Sequence, residues 1–206
     1  MVAVNTNSQA LKPQPYPSLK SIDDYHRNVR ESIMQYFALV GNGQILTSGN
    51  NLFVGATLQE IQEIRKELLD EEERRSCFAL LTYIEATFKA HFLYVVDRGI
   101  NCKQKNAFLK LLHSKSKKNT PNSPEIVSRI SLKSEILMRW RGCGAIDKQT
   151  YKNIVGAFAF RNWFAHGRFL ALKHSPAGGI RYQYSDLYFL AQKTRSLCAL
   201  AKPYLS

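Results

Sequence analysis

The chain has 206 residues, of which 45% are hydrophobic and 22% charged, and this length suits one domain with a buried core but is short for two. The formal net charge of +13 indicates an anionic partner, with nucleic acid ahead of an acidic membrane surface. We find no apolar run near the roughly 18 residues of a membrane span and no secretory signal pattern. The four cysteines are scattered without a CxxC pair. We therefore expect a cytoplasmic protein with reduced thiols and no zinc site.

The N-terminal part of the chain predicts a tail followed by one long helix. Pro13, Pro15 and Pro17 indicate a flexible, extended tail over residues 1–18. Apolar residues then recur at three- and four-residue steps, and Tyr25 is among them. This pattern predicts a helix from Leu19 to Leu39, and we expect residues 19–206 to form a single domain.

The middle of the chain predicts a second, longer helix. Thr57 and Glu60 have the spacing of a capping box, helical periodicity continues to Asp97, and Gly99 is a natural stop. About forty residues would make a helix of roughly 60 Å, which is long for a domain of this size. We therefore expect a break or kink near residues 68–75. The following stretch, 77–96, is nearly all apolar and predicts a central buried helix.

Four further helices complete an all-α prediction of about six helices, with room for a small β-hairpin near 168–184. The predicted bounds are 104–114, Pro124 to Trp140, Thr150 to Gly167, and a last helix opened by Ser185 and Asp186. Gly142 and Gly144 are expected to close the second of these. The histidines outside 161–168 have no metal-ligand spacing, and we expect His91 to be a hydrogen-bonded core residue.

Charge is distributed unevenly along the chain. Seven of the 16 acids lie between Glu60 and Glu73, whereas the stretch from Arg98 to Pro124 has seven basic residues and no acid. The loop that contains Lys115, Lys117 and Lys118 is predicted to contact RNA phosphates. The alternative is that these lysines only solvate the loop.

The sequence RNWFAHGR, residues 161–168, places polar groups inside an apolar helical pattern. Asn162 and His166 are four residues apart and share a helix face. Arg161 and His166 are five apart, about 140° around a helix at 100° per residue. Either the helix deforms at Gly167, or a second copy of the chain completes the site. A twofold dimer would bring two arginines, two asparagines and two histidines into one cleft.

These residue types suit RNA cleavage without a metal or cofactor. A histidine that titrates near neutrality can move protons to or from the reacting oxygens, and an arginine can bind the phosphate bidentately. An asparagine can orient either of them. Attack by the RNA 2′-hydroxyl would give a 2′,3′-cyclic phosphate and a 5′-hydroxyl end.

The order Arg161, Asn162, three other residues, His166, within a basic all-α chain, resembles the motif of the HEPN superfamily. The resemblance covers roughly residues 60–200 and leaves the first 50 or so unexplained. It implies a helical bundle that dimerises around a composite site, with Arg161, Asn162 and His166 as catalytic residues. Active members are metal-independent endoribonucleases, and many are toxins or phage-defence effectors. An antitoxin or a regulatory RNA would then be a partner.

Two further residues follow from the resemblance. Family members commonly place a polar or acidic residue on an earlier core helix near the motif arginine, and Glu85 is the candidate. Glu85 could equally pair with Lys89 on its own helix. Toxins silenced by AMP transfer have a tyrosine two residues after the histidine, whereas this chain has Arg168, which we interpret as an additional phosphate contact.

Two other functions fit the same sequence. A HEPN-like domain could bind RNA or a protein without cleaving, and the charge supports this equally well. The basic surface could also serve as a scaffold for an acidic protein.

Overall fold

A computed structural model describes residues 17–43, 53, 55–115, 129–165 and 182–199, and every regular element in these ranges is helical. Five helices are α1 (Leu19–Gly41), α2 (Leu58–Asp97), α3 (Lys105–Lys115), α5 (Lys148–Ala165) and α6 (Tyr184–Leu197). The sixth, α4, begins as the π-helical segment Leu132–Leu137 and continues as the α-helical segment Met138–Gly142. Within the described ranges this confirms the predicted all-α bundle of about six helices. Most of the predicted tail and of the predicted hairpin lies outside them.

Helix α2 is the central element, and it is continuous. Thr57 caps it as predicted: the Thr57 N–H donates to Glu60 Oε2 over 2.7 Å, and the Glu60 N–H donates to Thr57 Oγ1 over 3.2 Å. The break expected near residues 68–75 is wrong, because the helix runs through them. Its acids have local partners there: Glu71 pairs with Arg74 and Arg75 at 2.9 and 3.2 Å. Such pairs three and four residues apart support a helix.

The main core surrounds the second half of α2. Helices α3, α4, α5 and α6 all pack against α2. Phe88 and Phe92 are fully buried, and the Phe88 ring meets the Trp140 ring of α4 edge to face with centroids 5.2 Å apart. Phe92 contacts Phe108 of α3 at 4.8 Å. This apolar packing around one helix is what the continuous hydrophobic stretch 77–96 predicts.

Helix α1 packs along the first half of α2. Its buried residues are Leu19, Ile22, His26, Phe37 and Val40. Tyr25 belongs to the apolar periodic pattern, yet it is 55% exposed. His26 is buried in its place: its ring stacks on that of Tyr184 at 3.7 Å, and its Nδ1 lies 3.6 Å from Glu72 Oε1. This contact joins α1, α2 and α6.

The second half of α1 and the first turns of α2 form a two-helix arm. Phe37, Val40 and Phe53 make a small buried cluster there, with Ile33 and Ile61 packed against it. This cluster is separate from the main core. The arm is therefore stabilised mainly by this local cluster, to which Phe53 contributes from the segment before α2.

The predicted start of α4 is wrong. Arg129–Ser131 is not helical, so no single helix runs from Pro124 to Trp140. Instead α4 begins at Leu132, where the Ser134 N–H donates to Ser131 Oγ over 3.3 Å. The end predicted at Gly142 is confirmed.

The starts of α5 and α6 are also shifted from the prediction. Asp147, not Thr150, caps α5, because the Thr150 N–H donates to Asp147 Oδ1 over 2.8 Å. The hydroxyl and N–H of Thr150 lower the pKa of Asp147 to about 2. For α6, the Gln183 N–H donates to Asp186 Oδ2 over 3.1 Å, so Asp186 lies inside the first turn. An acid near a helix N-terminus is favourable in either position.

No helix in the described ranges combines the length and apolar character needed to cross a membrane.

Candidate functional site

Arg161 lies near the C-terminal end of α5 and reaches the middle of α2. Its Nη1–H donates to Glu85 Oε2 over 2.7 Å. The other carboxylate oxygen, Oε1, lies 2.8 Å from Lys89 Nζ, one turn further along α2. The two partners left open by the sequence are therefore both present, one on each oxygen of Glu85.

The charge of Glu85 is stabilised by this arrangement. Partial burial by itself would raise the pKa of Glu85. The ammonium of Lys89 and the guanidinium of Arg161 outweigh burial, and the pKa lies below its ordinary value. Glu85 is thus an anion that can position Arg161 at neutral pH.

Two aromatic rings also position Arg161. Its guanidinium carbon lies 5.3 Å from the Phe78 ring centroid and 5.8 Å from that of Phe158. Both distances are within the range of cation–π attraction. The Arg161 side chain nevertheless remains 28% exposed. The result is an oriented cation that an anion can still reach.

A cleft opens beside Arg161. Aromatic rings of Phe78, Phe160 and Tyr182 line it, together with the acids Asp70 and Glu73 of α2. Arg74 also lines it, but its guanidinium pairs with Glu71 at 2.9 Å. The cleft therefore combines a cationic edge, flat apolar rings and an acidic wall. This combination suits a ligand that carries both a phosphate and a base with amino groups.

The remaining motif residues are only partly described. Asn162 follows Arg161 in α5 and is exposed. His166 and Arg168 lie outside the described residues, so their predicted roles stay predictions. The structure thus brings Arg161 and Glu85 together, with Asn162 next to them in the chain.

Of the three lysines predicted to contact RNA, the structure describes only Lys115. Lys115, at the end of α3, has its Nζ 2.8 Å from Glu135 Oε1. Its charge is therefore partly balanced within the protein. Lys117 and Lys118 lie outside the described residues.

His91 is a core residue, but the predicted hydrogen bond is absent. Its ring contacts Phe108 and Trp140 at centroid distances of 6.4 and 4.9 Å. Neither ring nitrogen has a hydrogen-bond partner in the described structure. Burial lowers the pKa of His91 to about 4. Among the described residues, no three side chains of metal-binding type come together.

Sequence reasoning missed the aromatic residues that hold Arg161. Phe78 precedes Glu85 by seven residues, which is two helical turns, and Phe158 precedes Arg161 by three. Both spacings put an aromatic ring on the same helix face as a site residue. The intervals were readable in the sequence, but they acquire meaning only once α2 and α5 are known to be adjacent.

In the described residues, the fold and this site define an all-helical domain in which a carboxylate on α2 anchors an arginine near the end of α5. Comparisons of the chain with models of protein families, with characterised proteins and with solved structures find no match. Any functional assignment therefore depends on the motif and on the site geometry.

Proposed function

We propose that this chain is a metal-independent endoribonuclease of the HEPN type, which acts in the cytoplasm as a homodimer in a toxin or phage-defence role. The observation that supports it best is the anchoring of Arg161 by Glu85 at 2.7 Å. A guanidinium held by a carboxylate and two rings loses little conformational freedom when it binds a phosphate.

In the proposed reaction, a base removes the proton of the RNA 2′-hydroxyl, and the 2′-oxygen attacks the adjacent phosphorus. The bond from phosphorus to the 5′-oxygen breaks, and an acid protonates that oxygen. Arg161 stabilises the negative charge that develops on the phosphate. His166 moves a proton, and Asn162 orients His166 or a phosphate oxygen.

The direct test is RNA cleavage in the presence of EDTA. We expect the unaltered chain to cleave and His166→Ala to lose about 100-fold or more in rate, the contribution typical of a general acid or base. His113→Ala is the matched control, because His113 is an exposed histidine on α3. If His166→Ala cleaves as fast as His113→Ala, the catalytic role of His166 is refuted.

The chemistry can be tested separately through the substrate and its ends. We expect products whose 5′-hydroxyl ends accept phosphate from a polynucleotide kinase without prior dephosphorylation. A single 2′-deoxynucleotide on the 5′ side of the cleaved bond should abolish cleavage at that bond. Cleavage that persists at the deoxynucleotide would exclude attack by the 2′-oxygen.

The same ion pair favours a second candidate function. Arg161 and Glu85 also tie α5 to α2, which is a sufficient structural role for both residues. In that case the basic surface binds RNA or a protein partner without cleaving. Salt-sensitive RNA binding with no products from any RNA tested would favour this binding module.

A further inference from the structure

An open groove lies between α5 and α6, with a volume of about 470 Å³. Its lining combines polar and charged side chains with two aromatic rings, those of Tyr182 and Phe189. The lining residues used below are Thr150, Asn153, Tyr182, Ser185, Phe189 and Lys193. Neither the motif nor the mechanism proposed above uses this groove.

Phe189 is the unusual member of this set. It is 68% exposed, although its neighbours Leu187 and Leu190 are buried in the core. Lys193 follows four residues later, so the ring and the ammonium lie one turn apart on the same face of α6. An exposed ring beside a cation is the pairing that proteins use to bind single-stranded nucleic acid.

Tyr182 connects the groove with the cleft beside Arg161, because it lines both. Its hydroxyl donates to the Asn153 carbonyl oxygen over 3.3 Å, which fixes the ring at the boundary. Asn153 and Arg161 are eight residues apart on α5, or about 12 Å at 1.5 Å per residue. That distance corresponds to about three stacked nucleotides at ~3.4 Å each.

Two acids border the groove, but each is partly balanced within the protein. Asp186 accepts the Gln183 N–H at the start of α6. Asp147 accepts the Thr150 N–H at the start of α5, and its Oδ2 lies 3.8 Å from Lys193 Nζ. Both carboxylates therefore face helix N-termini, whose partial positive charge offsets their own.

We propose that this groove binds the nucleotides of single-stranded RNA that flank the phosphate held at Arg161. An unpaired base stacks on Phe189, and Lys193 contacts a backbone phosphate. Asn153 and Ser185 donate or accept hydrogen bonds at the base or ribose edges. The position relative to the cleaved bond rests on the proposed function, whereas RNA binding in the groove does not.

The test measures binding of a fluorescein-labelled 12-nucleotide single-stranded RNA of mixed sequence by fluorescence anisotropy. We expect Phe189→Ala to raise Kd about tenfold, as for loss of one base stack, and Phe189→Trp to restore binding. Tyr25→Ala is the matched control, because Tyr25 is an exposed aromatic on α1, outside the groove. Circular dichroism spectra and Tm values establish that each variant folds.

Salt dependence separates the two contacts. Lys193→Ala should reduce the slope of log Kd against log salt by about 0.7, the value for one phosphate contact on a single strand. Phe189→Ala should leave that slope unchanged. Lys66→Ala, an exposed lysine on the first half of α2, is the control for lost charge alone.

Three results would overturn the proposal. The first is Phe189→Ala binding as tightly as Tyr25→Ala. The second is an absence of RNA binding by the unaltered chain. The third is a change of oligomeric state in Phe189→Ala, measured by sedimentation, which would make the groove an interface between copies of the chain.

The outcome is separable from that of the proposed function. His166→Ala should lower kcat about 100-fold or more, whereas Phe189→Ala should act mainly by raising KM for the 12-nucleotide RNA. If the unaltered chain binds RNA through Phe189 but yields no products, the endoribonuclease proposal fails, whereas the proposal that the groove binds RNA stands.

Discussion

Glu85 balances two cations with one carboxylate. Arg161 and Lys89 each take one of its oxygens, at 2.7 and 2.8 Å. Removal of the carboxylate would leave two partly buried positive charges side by side. That is more costly than the loss of an exposed ion pair, because the remaining charges have lost water without a partner.

We therefore expect Glu85→Ala to lower the free energy of unfolding by about 2 kcal/mol and to reduce RNA cleavage, because Arg161 is no longer oriented. Since the pKa of Glu85 is lowered in the folded chain, its contribution is present above the unfolded-state pKa and is lost as pH falls through the folded-state pKa. Urea unfolding at pH 7 and at pH 3.5 measures the loss of stability and its pH dependence. The RNA cleavage assay measures the loss of activity.

The control for this variant is Glu71→Ala, which removes an exposed carboxylate paired with Arg74 and Arg75 on the same helix. We expect it to cost no more than about 0.5 kcal/mol. Equal losses in the two variants would mean that the Glu85 cluster has no special role.

His91 gives stability a second dependence on pH, and here the cause is burial and not a charged partner. Burial lowers its pKa to about 4 from an ordinary 6.5, so the unfolded chain binds the proton more readily. Stability should therefore fall as pH decreases from about 6.5 to about 4, by up to ~3 kcal/mol at 1.36 kcal/mol per pH unit. In His91→Phe this component should vanish, so the difference in unfolding free energy between the two chains should change with pH across that window. A difference that stays constant would refute it.

At the scale of elements, the contact between α5 and Tyr182 depends on a glycine. A Cβ built on Gly156 would lie 2.5 Å from Tyr182 Oη, which is closer than side chains tolerate. The same hydroxyl bonds to the Asn153 carbonyl. The absence of a side chain at position 156 therefore lets Tyr182 lie against α5, between the cleft and the groove.

We expect Gly156→Ala to displace Tyr182 and to weaken binding of single-stranded RNA several-fold. Alanine's higher helix propensity, worth about 1 kcal/mol, should at the same time offset part of any loss of stability. Gly142→Ala is the matched control, because a Cβ there meets no atom within 4 Å. RNA affinity and Tm of both variants decide the question, and unchanged affinity in Gly156→Ala would contradict the role of Tyr182.

The periodicity of the sequence predicts which helices exist, because burial of one face is a local pattern. It fails where a distant residue decides the outcome. Tyr25 looks like the inward residue of α1, yet His26 is buried because Tyr184, far along the chain, provides a stacking partner at 3.7 Å. The partners of Glu85 were likewise open, since only the packing of α5 on α2 brings Arg161 to it. The break expected near residues 68–75 is wrong because neither the length of α2 nor its change from an amphipathic to an apolar pattern requires one, and ion pairs within α2 support a regular helix there.

At the scale of the whole molecule, the net charge of +13 includes a cluster of acids that is partly used inside the protein. Glu72 accepts a hydrogen bond from Ser76 and faces His26, and Glu73 accepts the Tyr184 N–H over 3.4 Å. These acids help to join α1, α2 and α6.

We expect the chain to form a homodimer with a composite site. If Arg161 of one copy acts with His166 of the other, a mixture of the inactive variants Arg161→Gln and His166→Ala should regain activity after subunit exchange. The expected level is about a quarter of normal, since half of the dimers are mixed and each has one intact site. Cleavage assays on the mixture, with sedimentation to establish the dimer, provide the measurement. No recovery in an exchanging dimer would place each site within one chain.

The continuity of α2 limits how this chain can change length. Helix α1 touches α2 in the arm near Ile61 and again near Glu72. One residue inserted into α2 between these points would rotate the helix faces on either side of it by about 100° relative to each other. The two contacts with α1 could then not form together. Matched insertions of seven residues in both helices would keep the faces within ~20° and lengthen the arm by about 10 Å. Natural length variation in the arm should therefore occur in paired heptads.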